Sequence, residues 1–258
     1  MQRLLLILLL ACSVNSAYAG RVCEPAKMSG ASFIAAMNLA DKTRAALDAS
    51  NAQVALLARV GQDLSRHGLR YSHMAYVWRD GPNGRWTVVH ELNHCGTAQS
   101  ALYQQGLGNF FLDNLFAYEA LIVIPPPQSQ ARLVSMLASA TPLRMHRARY
   151  NMLAYAFSTE YQNSNQWVLE AYAAASSELQ ISDRSQAQAW LKLAGYRPIT
   201  VHVPAGQRLG ARLFSANIAF DDHPFGRRAA GQIDTVTVES VLRFVRAREP
   251  GARELVVR

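Results

Sequence analysis

The sequence predicts an α+β domain with a largely antiparallel sheet packed against helices, and three observations lead there. Strand-like runs at 71–78 and 85–92 are joined by Asp80-Gly81-Pro82-Asn83-Gly84, a cluster of turn residues typical of a hairpin loop. Helical runs open at Asn163 and Asp183, residue types that cap helix N-termini. Helices and strands then follow one another without the regular alternation that a parallel sheet needs.

Taken in order, residues 1–19 read as a signal peptide: Met1-Gln2-Arg3 is a basic start, 4–11 is an apolar run too short to span a bilayer, and Ala17-Tyr18-Ala19 has the small-x-small form of a cleavage site. This predicts an exported, periplasmic chain starting at Gly20, with a single domain over 20–258 long enough to bury a substantial core. A competing reading takes Leu9-Leu10-Ala11-Cys12 as a lipobox and Cys12 as a lipid anchor. In an oxidising compartment, Cys23 and Cys95 are expected to pair as a disulfide.

Residues 32–47 and 52–65 are rich in Ala and Leu at helical spacing, and Arg66-His67-Gly68 supplies a basic last turn and a stop. The hairpin follows, then an aromatic, loop-rich stretch at 102–116 and an apolar strand at 118–124. Pro125-Pro126-Pro127 ends that strand, and 128–138 resumes a helical pattern. Asn163 caps a helix reaching about residue 179, and Ser182 and Asp183 cap a shorter one carrying Ala187, Trp190, Leu191 and Leu193, closed by Gly195. Strands are expected at 199–203, 216–220 and 233–238, then a helix through Leu242 and Val245. No run after the leader is long and apolar enough to cross a membrane.

The candidate site lies on the hairpin and the Asn163 helix. A loop turning symmetrically about Pro82 and Asn83 sets Ala75 opposite His90 and Leu92 opposite His73, so both histidines share one sheet face as diagonal neighbours. A bulge would put them on opposite faces. Ser164, at a helix start, faces unpaired backbone N–H groups and the positive end of the helix dipole, a setting suited to an anionic nucleophile or oxyanion. Ser and Asn are also the commonest N-caps, so a cap without chemistry is the plain alternative.

These segments together, Ser72-His73-Met74-Ala75-Tyr76-Val77, Val88-Val89-His90 and Asn163-Ser164-Asn165-Gln166-Trp167-Val168, resemble the circularly permuted papain-like superfamily, which includes NlpC-like envelope amidases and lecithin:retinol acyltransferase relatives. More closely, Gly61-Gln62-Asp63-Leu64, Gly68-Leu69-Arg70-Tyr71-Ser72-His73, Gly106-Leu107-Gly108-Asn109-Phe110-Phe111-Leu112-Asp113 and Phe157-Ser158-Thr159-Glu160-Tyr161-Gln162-Asn163-Ser164 resemble an exported proteobacterial family, a domain of unknown function. The superfamily resemblance implies His73 as base, His90 as orienting group and position 164 as nucleophile, where this chain has Ser instead of Cys. A helix dipole that yields a thiolate cannot ionise a hydroxyl near neutral pH, so Ser164 needs His73 as a true general base. The Ser164 backbone N–H and the Gln162 amide are the expected oxyanion donors, and Tyr161, Asn163 and Asn165 the expected pocket. The implied activity is hydrolysis or transfer of an acyl group from an amide or ester, without a cofactor, on a peptidoglycan peptide, a lipoprotein or a lipid.

Two other classes compete. His90-Glu91-Leu92-Asn93-His94 matches H-E-x-x-H, which binds zinc for a peptidase when the segment is helical. On a strand, residues four apart stand about 13 Å apart, too far to share an ion. A fold that keeps its cleft for binding and does no chemistry is the other. Asp221-Asp222-His223-Pro224 reads as a turn. The net charge of +8 is spread rather than run together, which suits an anionic envelope and does not indicate nucleic acid.

Overall fold

Seven consecutive residues, Val54–Val60, form a strand (β1) that is buried throughout, because both faces of the sheet are covered there. The computed structural model describes residues 28–258, the side chains of 212–214 apart. The expected signal peptide, the Cys12 anchor and Cys23 lie outside the described residues. Cys95 is disulfide-bonded.

Helix α1 (Gly30–Ser50) opens on Ser29, whose side chain accepts from the Ser32 amide. After β1 come β2 (His73–Gly81), β3 (Gly84–Asn93), β4 (Ser100–Gln105), the short helix α2 (Leu107–Phe111) and β5 (Ala117–Ile124). Helices α3 (Pro127–Leu137), α4 (Thr141–Arg144), α5 (Ser164–Ser176) and α6 (Arg184–Leu193) follow. The chain ends with β6 (Ile199–His202), α7 (Ala205–Phe214), α8 (Phe225–Ala229), β7 (Gln232–Thr235), α9 (Val238–Arg248) and β8 (Arg253–Val257).

The fold is α+β. Six strands form an antiparallel sheet in the order β4-β3-β2-β1-β5-β8, and β6 and β7 pair separately. One face carries Leu57, Ala75, Val88 and Ile122 under Leu39 and Leu47 of α1 and Phe110 of α2. The other carries Leu56, Met74, Tyr76 and Leu121 under Trp167, Leu169 and Tyr172 of α5, with α3, α6 and α9 around it. Among the described residues no helix is long and apolar enough to cross a membrane.

Several expected elements are corrected. The helix at 52–65 is β1 followed by a single 3-10 turn at Ser65–His67. A strand covered on both faces loses its polar-apolar alternation and reads like a buried helix. The stretch at 102–116 contains β4, an edge strand whose half-exposed Ser-Ala-Leu-Tyr-Gln-Gln sequence carries little strand signal. The strand expected at 216–220 is irregular, because Asn151 takes its backbone instead: its Oδ1 accepts from the Ala219 amide and its Nδ2 donates to the Ala219 carbonyl. Strand β8 was not anticipated, and it closes the opposite edge against β5.

Candidate active site

The hairpin turns on Pro82 and Asn83, with Gly81 paired to Gly84, Val77 to Val88 and Tyr76 to Val89. Continued one pair further, this register sets Ala75 opposite His90, so His73 and His90 point to the same face. Their rings meet: His73 Nε2 lies 2.9 Å from His90 Nδ1, with ring centroids 5.2 Å apart.

Helix α5 delivers Ser164 to the other side of His73. Asn163 is extended and its side chain accepts from the Gln166 amide, which fixes the helix start and leaves the Ser164 and Asn165 amides as first-turn donors. The Asn163 Nδ2 donates to Thr235 Oγ1 at 3.1 Å, tying the cap to the second sheet. Asn165 latches the same turn onto β2, its Oδ1 accepting from the Met74 amide at 3.0 Å. The result is a Ser164 Oγ held 3.1 Å from His73 Nδ1.

The line of polar contacts continues past His90. Gln105, on β4, stands diagonally across from His90, and its amide nitrogen lies 2.9 Å from His90 Nε2. Ser164, His73, His90 and Gln105 thus form one hydrogen-bonded row. Phe110 walls the row, with its ring centroid 5.9 Å from His73 and 5.3 Å from His90. Beneath it, Arg59 is paired in register with His73, donates to the Phe110 carbonyl, and forms a 2.8 Å ion pair with Asp113.

Burial, reinforced by the Arg59 cation, holds both imidazoles neutral. His73 is driven well below the usual histidine range by burial, then by Arg59 and His90. His90 is lowered to about 3 by burial and Arg59, with Asp113 partly opposing. On its far side Ser164 meets Tyr150, a buried phenol whose pKa burial and the Glu91 carboxyl push up.

Not every expected pocket residue is here. The Gln162 amide is committed elsewhere: its Nε2 donates to the Met145 carbonyl at 2.8 Å and to Glu170 at 2.6 Å, and its Oε1 accepts from the Arg147 amide. It supports the start of α5 from behind and has no donor left for an oxyanion. Tyr161 is turned to Asp221 and Arg149, and its hydroxyl lies 3.1 Å from the Asp221 carboxylate. Asn163 acts as cap and Asn165 as latch. Asp222 and His223 bond to each other in a turn, where Asp222 also accepts from the Tyr155 amide.

The H-E-x-x-H segment is not helical. His90 and Glu91 are successive residues of β3 and so point to opposite faces, while His94 lies beyond the strand end, exposed in a turn. Glu91 is buried on the α5 face, away from the histidine row, and burial lifts its pKa to about 8. Among the described residues no three His, Cys, Asp or Glu side chains are grouped to hold a metal ion.

Sequence reasoning passed over Gln105, Arg59 and Tyr150. Gln105 belongs to the unassigned β4, and Arg59 to a strand taken for a helix; once both strands are in place, the sheet register brings them to the histidines. Tyr150 lies in an irregular segment for which the sequence offers no signal.

Residues 46–245 match a family model described as an uncharacterized protein conserved in bacteria (DUF2145). The chain belongs to this family. The matched span runs from the end of α1 into α9, so the family segment holds His73, His90, Gln105 and Ser164 together. No curated protein and no solved structure matches the chain.

Proposed function

We propose that the protein is an exported envelope hydrolase or acyltransferase that opens an amide or ester through Ser164, on a permuted papain-like core with Ser in the Cys position. The observation that carries this reading is the 3.1 Å approach of Ser164 Oγ to His73 Nδ1 at the N-terminus of α5, with His90 holding the far side of His73. Ser164 attacks the acyl carbonyl while its proton passes to His73 Nδ1. The oxyanion faces the first-turn amides of Ser164 and Asn165. Collapse leaves the acyl group on Ser164, and His73 returns the proton to the departing amine or alcohol. Water, or an acceptor alcohol in a transferase, then releases the acyl group by the reverse sequence.

A leader-like segment at residues 1–19 and the scattered positive charge support an envelope substrate: a peptidoglycan peptide, a lipoprotein or a lipid. The reaction as written uses side chains and backbone donors and needs no cofactor. One observation favours the second reading, a binding module on the same fold: the Arg59 cation opposes the imidazolium that base catalysis must form.

A fluorophosphonate probe, which phosphonylates a serine only when a base activates it, decides between them. Time-dependent labelling of the purified protein, abolished in Ser164→Ala and in His73→Ala, is the expected result. Labelling unaffected by loss of Ser164 overturns the hydrolase reading.

A further inference from the structure

The row Ser164–His73–His90–Gln105 contains more hydrogen-bonding nitrogens than protons, and that shortage has a consequence. Each neutral imidazole carries one N–H, and each of the three contacts needs one donor and one acceptor. Only two arrangements satisfy all three. In the first, Gln105 donates from Nε2 to His90 Nε2, His90 donates from Nδ1 to His73 Nε2, and His73 donates from Nδ1 to Ser164 Oγ. In the second, every direction is reversed: Ser164 donates to His73 Nδ1, His73 Nε2–H donates to His90 Nδ1, and His90 Nε2–H donates to the Gln105 amide oxygen.

Only the second arrangement offers Ser164 a base. In the structure the Gln105 amide nitrogen faces His90, at 2.9 Å, and this selects the first, in which Ser164 meets an N–H. A half-turn about the terminal torsion of Gln105 brings its oxygen to the same place. We propose that Gln105 is a positioning residue that sets the tautomer of the His90–His73 pair and thereby switches Ser164 between a resting and an activated state. The inference rests on the reading of Ser164 as a nucleophile, and it adds a control element to that site.

The proton count balances. The His73 Nδ1 proton passes to Ser164 Oγ, which gives up its own proton toward the open side of the site, the His90 Nδ1 proton crosses to His73 Nε2, and one proton reaches His90 Nε2 from solvent past the partly exposed Gln105. The pair holds two protons before and after, and no charge is left in the buried row. Gln105 is placed to turn because β4 is an edge strand and Gln105 itself is partly exposed, whereas His90 is sealed.

The test reads tautomers directly. Long-range proton–nitrogen correlation spectra of protein labelled with 15N-histidine distinguish protonated from bare ring nitrogens at His73 and His90. The folded wild type is expected to show both rings protonated at Nδ1. In Gln105→Glu, whose carboxylate only accepts, both are expected to move to Nε2, and fluorophosphonate labelling of Ser164 to accelerate at least about tenfold. Gln105→Met removes both partners and is expected to leave mixed tautomers, which keeps the test open should the Glu variant fail to fold. Wild-type tautomers retained in a folded Gln105→Glu or Gln105→Met overturn the inference. If the tautomers move as expected and Ser164 stays unlabelled in every variant, the role of Gln105 stands and the hydrolase reading falls.

Discussion

Replacing Glu91 by Gln is expected to stabilise the protein at neutral and alkaline pH and to do little in acid. The Glu91 carboxyl is fully buried, with the Ser100 side chain as its polar neighbour, and titrates at about 8 in place of an ordinary 4.5. Its folded pKa lies above its unfolded one, so its contribution is complete below the unfolded value and is lost as pH rises through the folded value. With the folded value at about 8 and the ordinary one at 4.5, the loss amounts to about 3 kcal/mol at pH 7 and about 4 kcal/mol at pH 8. Gln has the shape of the protonated acid and does not ionise, so the variant escapes this loss. At ~2–4 °C per kcal/mol for a chain of this size, the gain at pH 7 is about 6–12 °C in Tm. His90, the preceding residue on β3, has the opposite sign: lowered from 6.5 to about 3, it costs stability as pH falls below 6.5. His73, also lowered by burial, has the same sign as His90, so the difference between wild type and variant, and not the shape of the wild-type curve, reads Glu91. Melting curves followed by circular dichroism from about pH 4 to about pH 8 should show wild type and Glu91→Gln converging in acid and separating as pH rises. Parallel curves, or a variant less stable at pH 8, refute the reasoning, because they mean that Glu91 is ionised and paired in the native state.

Four further outcomes are expected. Ser164→Cys introduces a residue that a helix N-terminus activates unaided, so its thiol should react with iodoacetamide at least about tenfold faster than an unperturbed cysteine near neutral pH; an ordinary rate shows that the end of α5 does not stabilise an anion. Fluorophosphonate labelling of wild-type Ser164 should be flat from about pH 6 to about pH 8, because His73 titrates well below the usual range and keeps one charge state there. Arg59→Met removes the cation that helps to hold His73 low and should move any inflection upward; an inflection near 7 in the wild type contradicts the electrostatics. Arg184→Met strands the Glu170 carboxylate, fully buried and held by Arg184 at 2.6 Å, and should cost about 3–5 kcal/mol, read as a lower urea midpoint with an unchanged m-value.

The hairpin was legible because its turn residues and β-branched flanks fix both the loop and the register, and register alone decides that His73 and His90 share a face. The start of α5 was equally legible, since Asn163 is an N-cap by residue type and its side chain does accept from Gln166. What the sequence concealed follows from burial and direction. Strand β1 is covered on both faces and lost the alternation that marks a strand; with it went Arg59. Strand β4 lies at an edge, and its two glutamines read as loop, so the partner of His90 was missed. Gln162 stands two residues before Ser164, which invites a role beside it. Chain proximity does not give side-chain direction, and its amide turns back to Met145 and Glu170.

The electrostatics of the row set different demands on a hydroxyl and on a thiol at position 164. The N-terminus of α5 and the Arg59 cation both favour an anion at Ser164, and both oppose a positive charge on His73. A thiol needs only the first effect, because its proton can be gone before the substrate arrives. A hydroxyl needs His73 to take the proton in the transition state, so the cation that helps the oxyanion hinders the base. Asp113 partly relieves this opposition: it pairs with Arg59 at 2.8 Å and raises the His90 pKa against the trend of burial. The second requirement is directional, and charge cannot supply it. His73 must present a lone pair to Ser164, and along a row of neutral imidazoles that choice passes through His90 to whichever atom of the Gln105 amide faces it.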